Sequence, residues 1–412
     1  MIRQDRNIWL YGLGLGILFP LFFQLSGGIY RNPELLTDSG GVLETLPLPI
    51  SILTCLIALV FLPCKGARVW PALAMVAGTA AVVLTSLWLG GDGVTSPQRK
   101  LMMIMQVMLP LMGLLVGQRV DDTDKNMARA FLVVISIVVP WQFLATKLHG
   151  ADILTHDLYA FSIYSHRQYV TLIFVCAFAY ALTSLWDEHR LWLCILLLPM
   201  SAYVSRSFSF LTISAYGALL VTFVVWRFWI CVRNRKRIRM FLILFVTMVL
   251  VALSIPGKVD RQDISSLFLG KFEEILEGHI PSNVEERFRD WVNFGNGIVE
   301  SKTALLVGHP QPLPREVRTS PHNWYLDIVY NFGLIGLIPI FALMGYTASL
   351  CWKKRKILRA ETWWLAAIVF FLVVIDSNFK VTLRQPYPGI FAFFMWGLLL
   401  SRLRPTAARQ GA

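Results

Sequence analysis

Charged residues are scarce in this chain, and their scarcity decides its class. Of its 412 residues, 15% are charged and 56% are hydrophobic, whereas soluble domains carry roughly 25% charged residues. A soluble protein of this composition would have too few polar side chains to cover its surface. The apolar residues also come in blocks of about 20, the length that spans a bilayer. The composition therefore excludes a soluble protein and predicts a polytopic membrane protein.

Cysteine is also rare, and its positions exclude a disulfide framework. The six cysteines are Cys55, Cys64, Cys176, Cys194, Cys231 and Cys351. All lie within predicted spans or at their cytoplasmic ends, so an outward-facing loop has no cysteine to pair. The Cys-x-x-Cys and His-x-x-x-His spacings typical of metal sites are missing as well.

Motifs for nucleotides are missing from the sequence. There is no Walker loop and no dinucleotide fingerprint, so the energy for any reaction must come from an activated substrate or a gradient, and no cofactor is expected. The first apolar segment is followed by Gln24 to Gly28, which offers no clear cleavage site for a signal peptide. This segment is therefore predicted to be the first transmembrane helix.

The hydropathy pattern predicts an all-α fold of about twelve transmembrane helices. The spans are 8–25, 47–62, 69–89, 101–117, 127–146, 169–186, 191–204, 209–230, 240–255, 323–350, 362–376 and 387–402. The segment between the ninth and tenth spans is too long for a plain connector. Three parts follow: helices 1–9 over 1–255, a large loop over 256–321, and helices 10–12 with a tail over 322–412.

The net charge of +13 is explained by membrane orientation. With twelve spans both termini share one side, and the loops on that side hold 22 of the 38 lysines and arginines. Half of the other 16 lie in the loop 256–321, and long loops cross a membrane largely regardless of charge. The 22-residue side is therefore predicted to be cytoplasmic, so the positive charge does not indicate a nucleic-acid partner.

Two parts of the large loop have helical patterns. In 264–276 the apolar residues share one face, which fits either packing on the spans or lying on the membrane surface. A second helix is expected from Ser282 to about Glu300, because Ser282 and Glu285 fit a capping box. Arg287 is one turn from Trp291, so both side chains project from the same flank.

The loop ends in Ser320-Pro321-His322-Asn323-Trp324-Tyr325-Leu326. Ser320 is predicted to be an N-cap and Pro321 the first helical residue. His322 is then expected in the first turn of the tenth span, at the outer surface. The free N–H groups and positive dipole end of a helix N-terminus suit phosphate.

Several cations are predicted on the outer face, where orientation does not favour them. They are Arg167, Arg206, Arg287, Arg289, Lys380 and Arg384. Each one alone is also compatible with a side chain that reaches lipid headgroups, and Arg287 with a partner in Glu286 or Asp290. Together they suggest a phosphate site, because guanidinium groups bind phosphates bidentately. The densest acidic cluster, Asp121-Asp122-x-Asp124, is on the cytoplasmic side, which argues against Mg²⁺ or Mn²⁺ at the outer face.

The chain resembles the O-antigen ligase and polymerase superfamily in several motifs. His322-Asn323-Trp324-Tyr325-Leu326 followed by Gly333-Leu334-Ile335-Gly336-Leu337 resembles the family's C-terminal signature. Arg287-x-x-x-Trp291, Val307-Gly308 and Ser205-Arg206-Ser207 look like further family steps, and the family's topology is similar to the twelve spans predicted here. The chain departs from the family in Gly308-His309-Pro310, where a Gly-x-Gly is usual, and in His166-Arg167-Gln168-Tyr169, where Arg-x-x-Gly is usual.

The resemblance implies a membrane glycosyltransferase of the GT-C type with an active site at the periplasmic face of a Gram-negative inner membrane. The donor would be a glycan linked to undecaprenyl pyrophosphate, and the acceptor a sugar hydroxyl of the lipid A-core oligosaccharide in lipopolysaccharide biosynthesis. The expected donor-binding residues are Arg167, Arg206, Arg287 and Arg289. His322 is expected to be the catalytic residue of a metal-independent, inverting transfer, in which it either accepts the proton of the acceptor hydroxyl or orients that hydroxyl.

Further residues are expected to support the site, and other functions stay open. The supporting residues are Trp291, Asn323, Tyr325 and Arg384. An O-antigen polymerase or a protein O-oligosaccharyltransferase would use the same donor. A transporter for a lipid-linked anion would need charges at mid-span and matching halves, and a structural scaffold would not need arginines in the outer loops; both are disfavoured.

Overall fold

The structure is a computed structural model that describes residues 3–23, 48–62, 66–89, 97–122, 124–148, 167–207, 209–233, 277, 282–309 and 321–404. Most of these residues are helical. Two strands of two residues each, β1 (Phe22–Phe23) and β2 (Leu48–Pro49), form a two-stranded sheet.

The helices are numbered here in chain order. They are α1 (Arg3–Leu18), α2 (Ile50–Phe61), α3 (Gly66–Leu89), α4 (Pro97–Arg119), α5 (Asn126–Leu148), α6 (Arg167–Ser205), α7 (Phe210–Arg233), α8 (Ser282–Val299), α9 (Lys302–Val307), α10 (Trp324–Phe332), α11 (Ile338–Lys354), α12 (Ala360–Phe370), α13 (Ser377–Phe379) and α14 (Pro386–Leu403). Two 3₁₀ segments, Leu334–Leu337 and Thr382–Arg384, and one π-helical segment, Phe371–Asp376, connect them.

The apolar helices confirm the membrane class in its general form. Among the described residues, five helical segments are long and apolar enough to cross a bilayer, namely Val69–Leu89, Gln168–Ser205, Phe210–Ile230, Leu334–Lys354 and Ala360–Phe379. Shorter apolar helices lie at Asn7–Leu18, Ile50–Phe61, Met103–Arg119 and Asn126–Gln142. The count of twelve spans stays a prediction, and the span 240–255 and the loop helix 264–276 lie outside the described residues.

The described helices belong to two compact units. The first contains α1, α5, α6 and α7, and the second contains α2 to α4 and α8 to α14. Helices α8 and α9 of the predicted loop therefore belong to the same unit as α10 and α11.

In the first unit, α6 is a helical hairpin. His189 has non-helical dihedral angles (φ −127°, ψ 30°), and the ring of Tyr203 lies 5.9 Å from that of Phe174, so the two arms run antiparallel. The break falls in the link predicted at 187–190. Lys125 and Arg129 both form ion pairs with Glu188, which fastens the start of α5 to this turn.

Helix α1 is shorter than predicted. It ends at Leu18, and Phe22–Phe23 is extended, so the prediction that the first helix runs to residue 25 is wrong. Pro20 explains the end, because proline disfavours helical geometry in the residue before it and removes a helix donor.

The centre of the second unit is the contact between α4 and α14. A Cβ at Gly113 would lie 2.2 Å from the carbonyl oxygen of Ile390, and a Cβ at Gly117 would lie 2.2 Å from that of Phe394. A Cβ at Gly397 would lie 2.4 Å from the carbonyl oxygen of Leu114. The spacing Gly-x-x-x-Gly lets two helix backbones approach closely, as in many membrane helix pairs.

The predicted span 323–350 is broken, which corrects the sequence prediction. Helix α10 ends at Phe332, Gly333 has a positive φ of 68°, and α11 begins at Ile338. A Cβ at Gly333 would lie 2.1 Å from the carbonyl oxygen of Leu306, so the last turn of α9 crosses the break at contact distance. The buried hydroxyl of Ser86 donates to the carbonyl of Val307 (2.5 Å) and also lies 3.2 Å from that of Asn331.

Candidate functional site

The segment Pro321–Asn323 leads into α10 and contains His322. The helix begins at Trp324, and the side chain of Asn323 accepts a hydrogen bond from the N–H of Leu326 (3.1 Å). Asn323 is therefore the N-cap, and the prediction that Pro321 is the first helical residue is wrong; Ser320 lies outside the described residues. Asparagine caps helices as well as serine does, and here the asparagine is the residue that reaches the first turn.

His322 therefore precedes the helix and does not lie in its first turn. Its φ of 51° puts the backbone in the left-handed region, which few residues other than glycine adopt and which is frequent at functional sites. The side chain is exposed.

Helix α8 brings Arg287 and Trp291 to this segment. The indole N–H of Trp291 donates to the carbonyl of Pro321 (2.8 Å), and the half-buried Arg287 is one helical turn away. Partial loss of hydration lowers the pKa of His322, and the positive charge of Arg287 lowers it further. Arg287, Trp291 and His322 are thus neighbours, and the two residues of α8 share a flank as their spacing predicts.

The predicted supporting residues Asn323 and Tyr325 bind other parts of the second unit. The amide of Asn323 donates to the side-chain oxygen of Asn378 (3.4 Å), and the hydroxyl of Tyr325 donates to the carbonyl of Val373 in the π-helical segment (2.7 Å). These contacts fix the start of α10 and so position the residue before it.

Arg384 is held by two polar partners that sequence reasoning missed. Its Nη1 donates to Oδ1 of the buried Asp327 (2.6 Å), and its Nε donates to Oε1 of Gln106 (2.8 Å). Asp327 lies five residues after His322 within an apolar stretch. An acidic residue in such a stretch usually has a functional or structural partner. The sequence alone could therefore have indicated Asp327, but it could not have indicated that Arg384 is its partner.

A second buried acid, Asp376, precedes Arg384 by eight residues in the chain. Lys380 and Asp376 are both buried, and Nζ of Lys380 lies 4.0 Å from Oδ1 of Asp376. The hydroxyl of Thr382 donates a hydrogen bond to the same carboxylate. Lys380 was expected at the outer face as a cation, and it has an acidic partner on its own turn.

The remaining predicted arginines are distributed over both units. The antiparallel arms of α6 place its first residue, Arg167, and Arg206, which directly follows its last residue, at the same end of the hairpin. Arg289, on α8, is exposed and lies 3.4 Å from Glu285. The meeting of all four arginines at one phosphate site stays a prediction, and Arg287 is the arginine that the structure places beside His322.

In the part of the chain that the structure describes, no three His, Cys, Asp or Glu side chains form a group suited to a metal ion.

Comparison with known proteins adds no relative: no protein-family model matches the chain, and no curated protein matches it.

Proposed function

We propose that this protein is an O-antigen ligase, a membrane glycosyltransferase of the GT-C type. It would transfer a glycan from undecaprenyl pyrophosphate to a sugar hydroxyl of lipid A-core oligosaccharide at the periplasmic face of a Gram-negative inner membrane. The observation that carries the proposal is the position of His322, which lies exposed beside Arg287 and Trp291 at the start of α10. These three residues are also those of the motifs that resemble the ligase and polymerase superfamily.

In the proposed reaction, the acceptor hydroxyl oxygen attacks the anomeric carbon of the donor glycan. The bond from that carbon to the pyrophosphate oxygen breaks, and its electron pair leaves with undecaprenyl pyrophosphate. The hydroxyl proton passes to the neutral imidazole of His322. A single displacement of this kind inverts the anomeric configuration.

The charges around His322 support this division of roles. A base must be neutral before it accepts a proton, and the lowered pKa of His322 keeps the ring neutral at physiological pH. Arg287 supplies positive charge for the departing pyrophosphate, an electrostatic contribution that is often large in enzymes. In the proposal, Arg167, Arg206 and Arg289 bind the same pyrophosphate, while Trp291, Asn323, Tyr325 and Arg384 position the reacting groups.

The test is a transfer reaction with purified protein in lipid nanodiscs. The protein is incubated with a glycan on undecaprenyl pyrophosphate, with and without lipid A-core, and products are separated by gel and mass spectrometry. Glycan on the core supports a ligase. Longer lipid-linked glycan in the absence of core supports a polymerase, and no product in either arm contradicts a transferase of this donor.

Two variants test the base. His322→Ala is expected to lower the transfer rate by about 10²–10⁴-fold, the usual contribution of a general base. His189→Gln is the matched control, because His189 is also exposed but lies in the α6 hairpin turn, and it should transfer at the wild-type rate. Wild-type transfer by folded His322→Ala would remove the base from the mechanism.

A further inference from the structure

His309 is a second histidine of the same unit, and it connects α8 with α10. It directly follows Gly308, which has a positive φ of 86°. The backbone of Gly308 packs closely against that of Asn331 and Phe332, where the chain after α9 crosses the end of α10. Its backbone N–H donates to the carbonyl of Tyr330 (2.7 Å), and its ring is stacked on the ring of Tyr330 at 4.9 Å. One face of the imidazole is thus fixed on α10.

The edge of the same ring binds the end of α8. Nε2 of His309 lies 2.6 Å from the carbonyl oxygen of Gly297, and because a carbonyl only accepts, Nε2 must carry the hydrogen. Gly297 is in the last turn of α8, where carbonyls have no partner inside the helix, and its carbonyl also accepts from the backbone N–H of Glu300 (3.3 Å). The carboxylate of Glu300, just past that end, is 3.5 Å from Nε2.

The contact between α8 and α10 is also tight at Gly297. A Cβ there would lie 2.7 Å from Cε2 of Tyr330, so the helix backbone presses on the ring that His309 covers. Phe294 and Ile298 of α8 bury their side chains against Val329 and Tyr330 in the same small core. The imidazole thus adds the directional polar contact to an apolar interface.

This interface determines where the other end of α8 lies. Arg287 is ten residues before Gly297, about 15 Å along a helix. Near that end α8 is fastened to the segment before α10 by the hydrogen bond from Trp291 to Pro321. A helix held at two points cannot turn about its axis, and such a turn would carry Arg287 away from His322.

We propose that His309 is a positioning residue that locks the last turn of α8 on α10 and thereby keeps Arg287 beside His322. The inference rests on the proposed function only for the chemistry that the positioned residues perform; the positioning itself is measurable without any substrate.

The experiment measures the pKa of His322 in purified full-length protein in nanodiscs. Diethyl pyrocarbonate modifies neutral imidazole, so the modified fraction of His322, followed by peptide mass spectrometry across pH, reports its pKa. Arg287→Gln removes the nearby charge and should raise that pKa. His309→Ala should raise it by a similar shift, because Arg287 is displaced, and the double variant should show no further rise.

Two other variants separate positioning from general damage. His309→Gln keeps an N–H donor near the position of Nε2, so it should give a smaller shift than His309→Ala. His189→Gln, in the other unit, should leave the pKa of His322 unchanged. An unchanged pKa in His309→Ala, or shifts from Arg287→Gln and His309→Ala that add in the double variant, would overturn the inference. Failure of the transfer reaction, by contrast, would leave these pKa results intact.

Discussion

At the scale of the residue, His322 is defined by its backbone and its neighbour. Its φ of 51° is left-handed, and the cap at Asn323 places the residue before the first turn of α10. The adjacent charge is Arg287, which acts on the ring directly. A ring kept neutral beside a cation is suited to accept a proton from a substrate hydroxyl next to a phosphate.

The first prediction concerns the pH dependence of transfer. A lowered pKa means that His322 stays neutral to a pH below about 6.5, the ordinary value for histidine. The rate constant kcat/KM should therefore fall only as the pH drops below that value. In Arg287→Gln the fall should begin at a higher pH, because the neutral ring is no longer favoured by a neighbouring charge.

Arg289→Gln is the control for the shape of this profile. Arg289 follows Arg287 by two residues on α8, its side chain is exposed, and it forms an ion pair with Glu285. Whatever its effect on the overall rate, it should leave the midpoint of the acidic fall in place. Equal displacement of the midpoint by both substitutions would show that the effect is not a local one of Arg287.

At the scale of the element, two glycines shape the junction where α9 packs against the chain between α10 and α11. Gly308 and Gly333 both have positive φ, and a Cβ on either would strike the other segment's backbone at 2.4 Å or less. The Gly-Leu-Ile-Gly-Leu motif thus ends α10 and lets α9 cross it. Ser86 of α3 fastens this crossing through the carbonyls of Val307 and Asn331.

The second prediction is that Gly333→Ala destabilises the protein strongly. A non-glycine residue at this φ costs on the order of 1–3 kcal/mol, and the overlap with Leu306 adds to that cost. The measurement is the apparent melting temperature of detergent-purified protein. Gly345→Ala is the matched control, because Gly345 lies on α11 with nothing within 4 Å of its Cβ position; alanine there should have no effect or stabilise the helix by up to about 1 kcal/mol.

At the scale of the whole molecule, large apolar side chains lie on the outside of the described helices. Trp88 is 83% exposed, Val60 76%, Trp70 69% and Ile338 62%, whereas α14 is buried along almost its whole length. In water such a surface would drive association. In a bilayer the same side chains contact lipid without cost, so the exposed apolar surface agrees with the scarcity of charge in the sequence.

The third prediction follows from that surface. After expression in bacteria, the protein should stay in the membrane pellet after washing with sodium carbonate at high pH and with concentrated salt, and mild detergent should release it. Immunoblots of the fractions provide the measurement. Release by carbonate would mean that the apolar helices are covered by protein and do not contact lipid.

Some of these features follow from the sequence because they depend on local periodicity. The membrane class follows from apolar blocks of bilayer length, and α8 begins at Ser282 as predicted because its capping pattern and apolar face are contained in about eighteen residues. The hairpin turn near His189 is a local polar break between two apolar runs. The shared flank of Arg287 and Trp291 is a consequence of helical spacing alone.

Other features were decided only by tertiary structure. Hydropathy is continuous across Gly333, so the break in the predicted span 323–350 depends on a close approach by α9, which is distant in sequence. The pairing of Arg384 with Asp327 and Gln106, and the hold of His309 on Gly297, likewise join residues whose spacing follows no local period. Periodicity determines which face a side chain occupies, whereas the partner on that face is determined by the packing of helices that the local sequence does not encode.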